Sequence, residues 1–211
     1  RMAGVRRFIL SSSAAIYGNV KVLPVKETNE AHPVSPYALH KYADEQFCKL
    51  FGALYGLDTI CLRYFNVYGP GQYGDSAYST VISAWLENIF FPKKKNKLPF
   101  IEGDGKQTRD FVFVDDIVHA NILAMKASKK MNGEVINIAS ATQVSLLDVK
   151  KQMERHLGRI IVLEKRAARL GDIKHIRADI SKAKKLLNYS PNVSFEEGLR
   201  RTIAWFQSRS K

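Results

Sequence analysis

Apolar residues fall into two alternating rhythms along this chain. Short unbroken runs read as strands: Phe8-Ile9-Leu10 within Val5 to Leu10, then Thr59 to Phe65, Phe111 to Val114 and Glu134 to Ile138. Between them lie longer stretches that read as helices. Ser35 is a good N-cap and Pro36 a good first residue for a helix over Tyr37 to Tyr55, which Gly56 ends. Further helices are expected over Ala77 to Phe90, with Pro92 as the stop, over about Asp116 to Ala127, and from Ser145 to about Leu157. In the last of these, Ser145 and Asp148 have the spacing of a capping box. Ser181 is expected to cap a helix to Leu187, and Phe195 to Gln207 reads as the terminal helix. Ile160 to Leu163 reads as a short strand, and Pro99-Phe100-Ile101 is strand-like. Strands alternating with helices predict an α/β fold with a parallel sheet. No internal repeat or low-complexity segment interrupts the pattern.

Composition narrows the class. Hydrophobic residues make up 45% of the 211, enough for a core in one domain plus part of another. No apolar stretch approaches the ~20 residues of a membrane span, and no secretory signal is visible. The two cysteines, Cys48 in a predicted helix and Cys61 in a predicted strand, suggest reduced core residues of a cytoplasmic protein rather than a disulfide framework. No metal-ligand spacing occurs among the few Cys and scattered His. The formal charge of +13 raises nucleic-acid binding. However, the densest basic run, Lys93-Lys94-Lys95-Asn96-Lys97, has no interleaved aromatic residue and reads as a solvated loop. Lys126, Lys129 and Lys130 fall near a predicted helix C-terminus, where cations are favoured in any case. Neither nucleic acid nor membrane is expected as a partner.

The candidate chemistry lies in Ser35-Pro36-Tyr37-Ala38-Leu39-His40-Lys41 and in the earlier Ser11-Ser12-Ser13-Ala14-Ala15-Ile16-Tyr17-Gly18. On a helix, Tyr37 and Lys41 share a face, which sets the phenol beside the ammonium. A phenol titrates near ~10, too high for a base at neutral pH, and a neighbouring lysine cation favours the phenolate. Ser13, where the strand breaks into small polar residues at a ligand crevice, offers a hydroxyl to the same reacting oxygen. The set suits proton removal from an alcohol as its hydride leaves. Tyr-x-x-x-Lys alone is also common on solvated helices, and only the serine-rich strand end beside it gives the pair meaning.

With these motifs stand Arg63-Tyr64-Phe65-Asn66-Val67-Tyr68-Gly69-Pro70, Gly103-Asp104-Gly105 with Arg109-Asp110-Phe111, and Val114-Asp115-Asp116. Asn137-Ile138-Ala139 and Arg169-Leu170-Gly171-Asp172 with Ala178-Asp179 follow in order. Together they resemble, over the whole chain, the extended short-chain dehydrogenase/reductases of the nucleotide-sugar epimerase and dehydratase group. The resemblance implies a Rossmann-like doubly wound sheet with a smaller α/β substrate-binding domain. Residues 1–70 would complete the dinucleotide-binding part and 71–211 would be mainly the nucleotide-sugar domain, with about 111–140 returning toward the first. Such proteins open with a glycine-rich turn that seats the dinucleotide pyrophosphate on a helix N-terminus. No such turn occurs here, and Arg1 precedes what resembles a middle strand. The chain is therefore expected to be the C-terminal portion of a longer enzyme, inactive by itself.

The resemblance also implies roles. Ser13, Tyr37 and Lys41 would be catalytic, with Ser11, Tyr37, Lys41 and Tyr64 at the NAD cofactor. Ser13, Asn66, Arg109, Arg169, Asp172 and Ile176 would meet a UDP-sugar, the arginines at its diphosphate, Asp172 at a ribose hydroxyl and Ile176 at the sugar end. The ordinary alternatives are a salt bridge to Asp110 for Arg109 and a solvated loop charge for Arg169. Asp115 and Asp116 are expected to cap a helix, Asn137 to hydrogen-bond at a strand end, and Tyr17 and Gly18 to shape a turn. Dehydratases and decarboxylases of the group carry an acid two residues after the catalytic Ser/Thr. Here Ala14 and Ala15 occupy those places, and Ser-Ala-Ala-Ile-Tyr-Gly instead resembles the S-A-T-V-Y-G of UDP-hexose 4-epimerases. The implied reaction is 4-epimerisation through a transient 4-keto sugar, in a homodimer. UDP-glucose/galactose, the N-acetyl pair and uronic acid sugars all stay open. The alternatives are another enzyme of the fold, such as a dehydratase, and a non-catalytic nucleotide-sugar-binding fragment.

Overall fold

Ser35 and Pro36 start the first long helix through local chemistry. Ser35, extended at φ −146° and ψ 155°, accepts the Ala38 N–H on its hydroxyl at 3.2 Å, and Pro36 fills the first turn. Gly56, left-handed at φ 67°, closes helix α1 (Pro36–Tyr55) by donating its N–H to the Gly52 carbonyl. These are features of a computed structural model, which describes residues 1–74, 79–92, 98–168 and 173–210.

Helix α1 lies between strands β1 (Arg7–Ser13) and β2 (Asp58–Tyr64), which pair in parallel with Ser11 opposite Leu62, Ser12 opposite Arg63 and Ser13 opposite Tyr64. After β2 come β3 (Asn66–Tyr68), α2 (Val81–Phe90), β4 (Phe100–Glu102), β5 (Thr108–Arg109), β6 (Phe111–Phe113) and α3 (Val114–Lys126). The order continues with β7 (Glu134–Ile138), β8 (Val144–Ser145), α4 (Leu146–Leu157), β9 (Glu164–Arg166), α5 (Ser181–Leu187) and α6 (Phe195–Arg209). The main sheet runs β1-β2-β7, all parallel, and three two-stranded pairs, β3-β6, β4-β9 and β5-β8, accompany it. The architecture is α/β, with β7 returning to the first sheet after the chain has passed through β3 to α3.

Among the described residues two large apolar cores share one wall, and a small third cluster joins Cys48 of α1 to Cys61 and Val135 of the sheet. The first collects Ile60, Leu62, Ile136 and Ile138 from the sheet with Ile117, Ala120 and Ala124 of α3, and it is joined by Ile176, Ala178, Ile180 and Tyr189. The second holds Trp85 and Leu86 of α2, Val149 and Met153 of α4, and Leu199 and Phe206 of α6. Strand β6 divides them by its period of two, sending Val112 into the first core and Phe111 and Phe113 into the second. Its partner β3 does the same with Val67 and Tyr68. At Gly198 a Cβ would come within 2.3 Å of the Tyr68 hydroxyl, so glycine lets α6 approach β3.

Buried polar groups pin these layers. Arg7 pairs with Asp58 (Nε to Oδ2, 2.7 Å) and donates to the carbonyls of Ala124, Ala127 and Lys129, covering the C-terminal end of α3. Asp110, wholly buried, accepts the Ser140 and Ala178 N–H groups and the Ser140 hydroxyl.

Several elements depart from the sequence pattern. Strand β1 continues through Ser13 because each serine has a backbone partner on β2. The apolar run Ile160 to Leu163 is not the strand; Ile160 and Val162 are exposed, and β9 forms at Glu164–Arg166, where it pairs with Phe100–Glu102. Asp115 and Asp116 do not cap α3 but lie inside its first turn, and Asp116 instead accepts the N–H groups of Asn192 and Val193. Ser181 does not cap α5 but is its first residue, and the Asp179 carboxylate accepts its N–H at 2.7 Å. Helix α2 begins at Val81, and Ala77 lies outside the described residues, as does the run Lys93 to Lys97. Cys48 and Cys61 are buried free thiols. Among the described residues no helix is long and apolar enough to cross a membrane, and no group of His, Cys, Asp and Glu could hold a metal ion.

Candidate active site

Parallel pairing brings the C-terminal ends of β1 and β2 to one edge. Ser13 ends β1, and its hydroxyl accepts the Ala15 N–H at 3.2 Å, turning the chain into a short 3-10 segment, Ala14–Tyr17. Gly18 finishes that turn at φ 59°, where a Cβ would lie 2.1 Å from the His32 carbonyl oxygen, so only glycine fits. From the first turns of α1, Lys41 Nζ donates to the Ser11 carbonyl at 2.9 Å and stands 6.0 Å from the Tyr37 ring centroid. Tyr37 is 39% exposed. The hydroxyls of Ser11 and Tyr64 share a hydrogen bond at 3.2 Å, and Asn121 of α3 donates to the Tyr64 oxygen at 2.8 Å. Ser11, Ser13, Tyr37, Lys41 and Tyr64 thus gather around one strand edge.

Beneath them lies a polar layer that sequence reasoning missed. Glu45 of α1, fully buried, accepts the Ser12 hydroxyl at 2.6 Å on Oε1. It also accepts Arg63 Nε at 2.8 Å and Nη2 at 2.7 Å. Burial works against the Arg63 charge, but the Glu45 carboxylate outweighs it and pushes the guanidinium above its ordinary pKa. The Tyr17 ring lies 4.6 Å from Arg63 Cζ, and its hydroxyl donates to Asn137 Oδ1 at 2.6 Å. Burial pushes the Tyr17 phenol up to about 12, so it stays neutral and serves as structure rather than base. Two signals pointed here: an arginine inside the buried run Thr59 to Phe65, which demands a counter-charge, and an acid continuing the Tyr37–Lys41 spacing by one more helical step.

The substrate-side candidates separate. Asn66 and Arg109 both border a cavity of about 330 Å³ whose other walls include Trp85, Phe100, Gln107 and Leu146. Arg109 donates from Nη1 to the carbonyls of Ile173 (2.6 Å) and Thr108 (3.0 Å), while the carboxylate of Asp110 is taken up by Ser140 and Ala178. Ile176 does not border that cavity; it is 4% exposed and packs in the first core. Arg169 and Asp172 lie outside the described residues. A second hollow of about 370 Å³, lined by Phe8, Leu10, Phe47 and Phe51, lies against α1 and carries none of these groups.

A family model described as GDP-mannose 4,6 dehydratase matches residues 1–202. Among solved structures, a UDP-glucose 4-epimerase from Thermotoga maritima with UDP-glucose is 37% identical at a TM-score of 0.90, covering 100% of this chain and 66% of its own. A UDP-N-acetylglucosamine 4-epimerase from Methanobrevibacter ruminantium, in complex with UDP-N-acetylmuramic acid, is 38% identical at 0.88, covering 97% and 64%. A UDP-glucuronic acid 4-epimerase from Bacillus cereus, in complex with UDP-glucuronic acid and NAD, is 33% identical at 0.84, covering 96% and 62%. The chain spans 63% of the length of curated relatives it matches.

Proposed function

The chain belongs to the GDP-mannose 4,6 dehydratase family, and on that premise we propose that the whole protein is an NAD-dependent 4-epimerase of a UDP-hexose. The observation that carries this reading is Lys41, beside Tyr37 on α1, meeting the strand end at the Ser11 carbonyl, with Ala14 and Ala15 where a dehydratase keeps its acid. The donor set fits a nicotinamide ribose: an ammonium on Lys41 with the hydroxyls of Ser11 and Tyr64 at the C-terminal edge of parallel strands. When bound there, NAD supplies the hydride acceptor and donor. Tyr37, as phenolate, takes the proton of the sugar 4-hydroxyl, and Lys41 supplies the balancing cation. Ser13 donates a hydrogen bond to the C4 oxygen as it becomes a carbonyl. Tyr37 returns the proton after the 4-keto sugar has turned its other face, so no net redox change occurs. Arg109 and Asn66, at the mouth of the 330 Å³ cavity, hold the diphosphate. On the same reading Arg169 joins them at the diphosphate and Asp172 accepts a hydrogen bond from a ribose hydroxyl. The first core then serves the cofactor and the second the nucleotide. The protein acts as a homodimer, for which Phe47, Leu50 and Leu54 on the outer face of α1 offer exposed apolar surface.

The test incubates the whole protein and NAD separately with UDP-glucose, UDP-N-acetylglucosamine and UDP-glucuronate, with chromatographic separation of products. The matching galacto-epimer, formed without NADH release, is expected from one of them and names the sugar. A 4-keto-6-deoxy or decarboxylated product would overturn the reading.

A further inference from the structure

A buried ion pair lies under the strand edge that the epimerase reading assigns to catalysis, and that reading gives it no task. Glu45 follows Lys41 by four residues and Tyr37 by eight, so the three share one face of α1. Its carboxylate is fully buried and takes three hydrogen bonds, one from Ser12 of β1 and two from Arg63 of β2. Ser12 and Arg63 are direct partners in the parallel register, so both strands present a donor at the same level of the sheet. Ser12 also sits between Ser11, whose carbonyl holds Lys41, and Ser13. Arg63 Nη1 is buried without a hydrogen-bond partner, and the guanidinium lies over the Tyr17 ring. A well-packed apolar pair would hold the helix at least as firmly, because desolvating two charges offsets most of their attraction. What an apolar pair lacks is direction. Three bonds to one carboxylate fix both the rotation of α1 and its height over β1 and β2.

We propose that Glu45 and Arg63, with Ser12, are positioning residues that fix Tyr37 and Lys41 against the β1 edge for proton transfer. The proposal rests on the epimerase reading and assigns these residues no contact with substrate. A misplacement of about 1 Å in such a site can cost on the order of 100-fold in rate. The test is Glu45→Gln in the whole protein, which keeps the side-chain volume but turns an amide N–H toward the guanidinium. The expected result is a kcat reduced about tenfold or more with KM for the UDP-sugar within about twofold, since substrate is held elsewhere. Ser12→Ala, which removes one bond of three, is expected to lower kcat about threefold at unchanged KM, and it decides the matter should Glu45→Gln not fold. Unchanged kcat in folded variants, with only the melting temperature lowered, would make the pair structural and overturn the proposal. Hydrogen exchange supplies a readout independent of turnover. Glu45→Gln must raise exchange over residues 36–45 and leave α2 and α6 as they were; exchange unchanged there would also overturn it. A wild-type protein that converts no UDP-sugar would instead sink the epimerase reading, and the exchange result would still stand.

Discussion

The two cores differ in what holds them and in what hangs from them. Around the first, directional charges do the fastening: Arg7 with Asp58 at the base of the sheet, and Glu45 with Arg63 beneath its upper edge. Around the second, rings pack on rings, with Tyr68 within 6.0 Å of Phe111, 5.6 Å of Phe113 and 5.5 Å of Phe195, and Trp205 4.9 Å from Phe206. The groups assigned to catalysis sit on long regular elements: β1, whose Ile9 packs on the first core, and α1, whose Cys48 packs with Cys61 and Val135 on the sheet's other face. Asn66 and Arg109 sit on strands of two or three residues beside the second. Proton transfer tolerates little error in direction, which ion pairs and hydrogen bonds supply. A nucleotide pocket needs shape first, which non-directional aromatic packing supplies.

The largest effect that would sharpen this contrast is Tyr37→Phe, which removes the base and leaves the ring. It is expected to lower kcat about 10³-fold while UDP-sugar binding, followed by calorimetry, is retained. Equal loss of binding would mean that the phenol serves the substrate pocket instead. Next comes Phe206→Ala in the second core, expected to cost about 3–5 kcal/mol in urea unfolding. A smaller effect is expected from Arg109→Lys, which keeps the charge but loses the planar fork. KM for the UDP-sugar should rise about tenfold with kcat nearly unchanged. A fall in kcat alone would break the division between a directional half and a shaped half.

The same division governs how much could be read in the sequence. Helix α1 was legible at both ends because Ser35, Pro36 and Gly56 act within four residues of themselves. The meeting of Lys41 with Ser11 could be anticipated because a strand end and the next helix are bound to adjoin in a parallel unit. The partner of Arg63 was signalled only in part: a buried arginine demands a counter-charge, but Glu45 precedes it by 18 residues and tertiary packing selects it among the acids. The Ile160 to Leu163 run misled because only Ile161 and Leu163 of it turn to the second core while Ile160 and Val162 are exposed, and pairing with β4 chose the polar residues after it. Asp116 looked like a cap by position, whereas its acceptors are spent on Asn192 and Val193 in a distant loop. The burial of Ile176 depends on residues 176–189 crossing to the first core, which no local pattern announces.

Asp110 lies where the two halves join, and it offers the smallest but cleanest test of their seam. It stands between β5 and β6, and its carboxylate ties Ser140, just after β7, to Ala178. Burial outweighs those hydrogen bonds and pushes the carboxyl up to about 6, so the folded chain favours the neutral acid more than the unfolded chain does. A folded pKa above the unfolded one means stability that is fully present below about 3.8 and is lost as pH rises through about 6. Lowering the pH from 7 to 5 should therefore stabilise the wild type on the order of 1 kcal/mol through this group. Asp58, Asp179 and Glu197, whose carboxyls are held below the usual range, lose their contributions only at lower pH. Asp110→Asn cannot gain a proton. The stability difference between wild type and variant, measured by urea unfolding at pH 7, 6 and 5, should widen as the pH falls. A difference that stays level would show the carboxylate to be accommodated without penalty, and the seam would then be held by its hydrogen bonds alone.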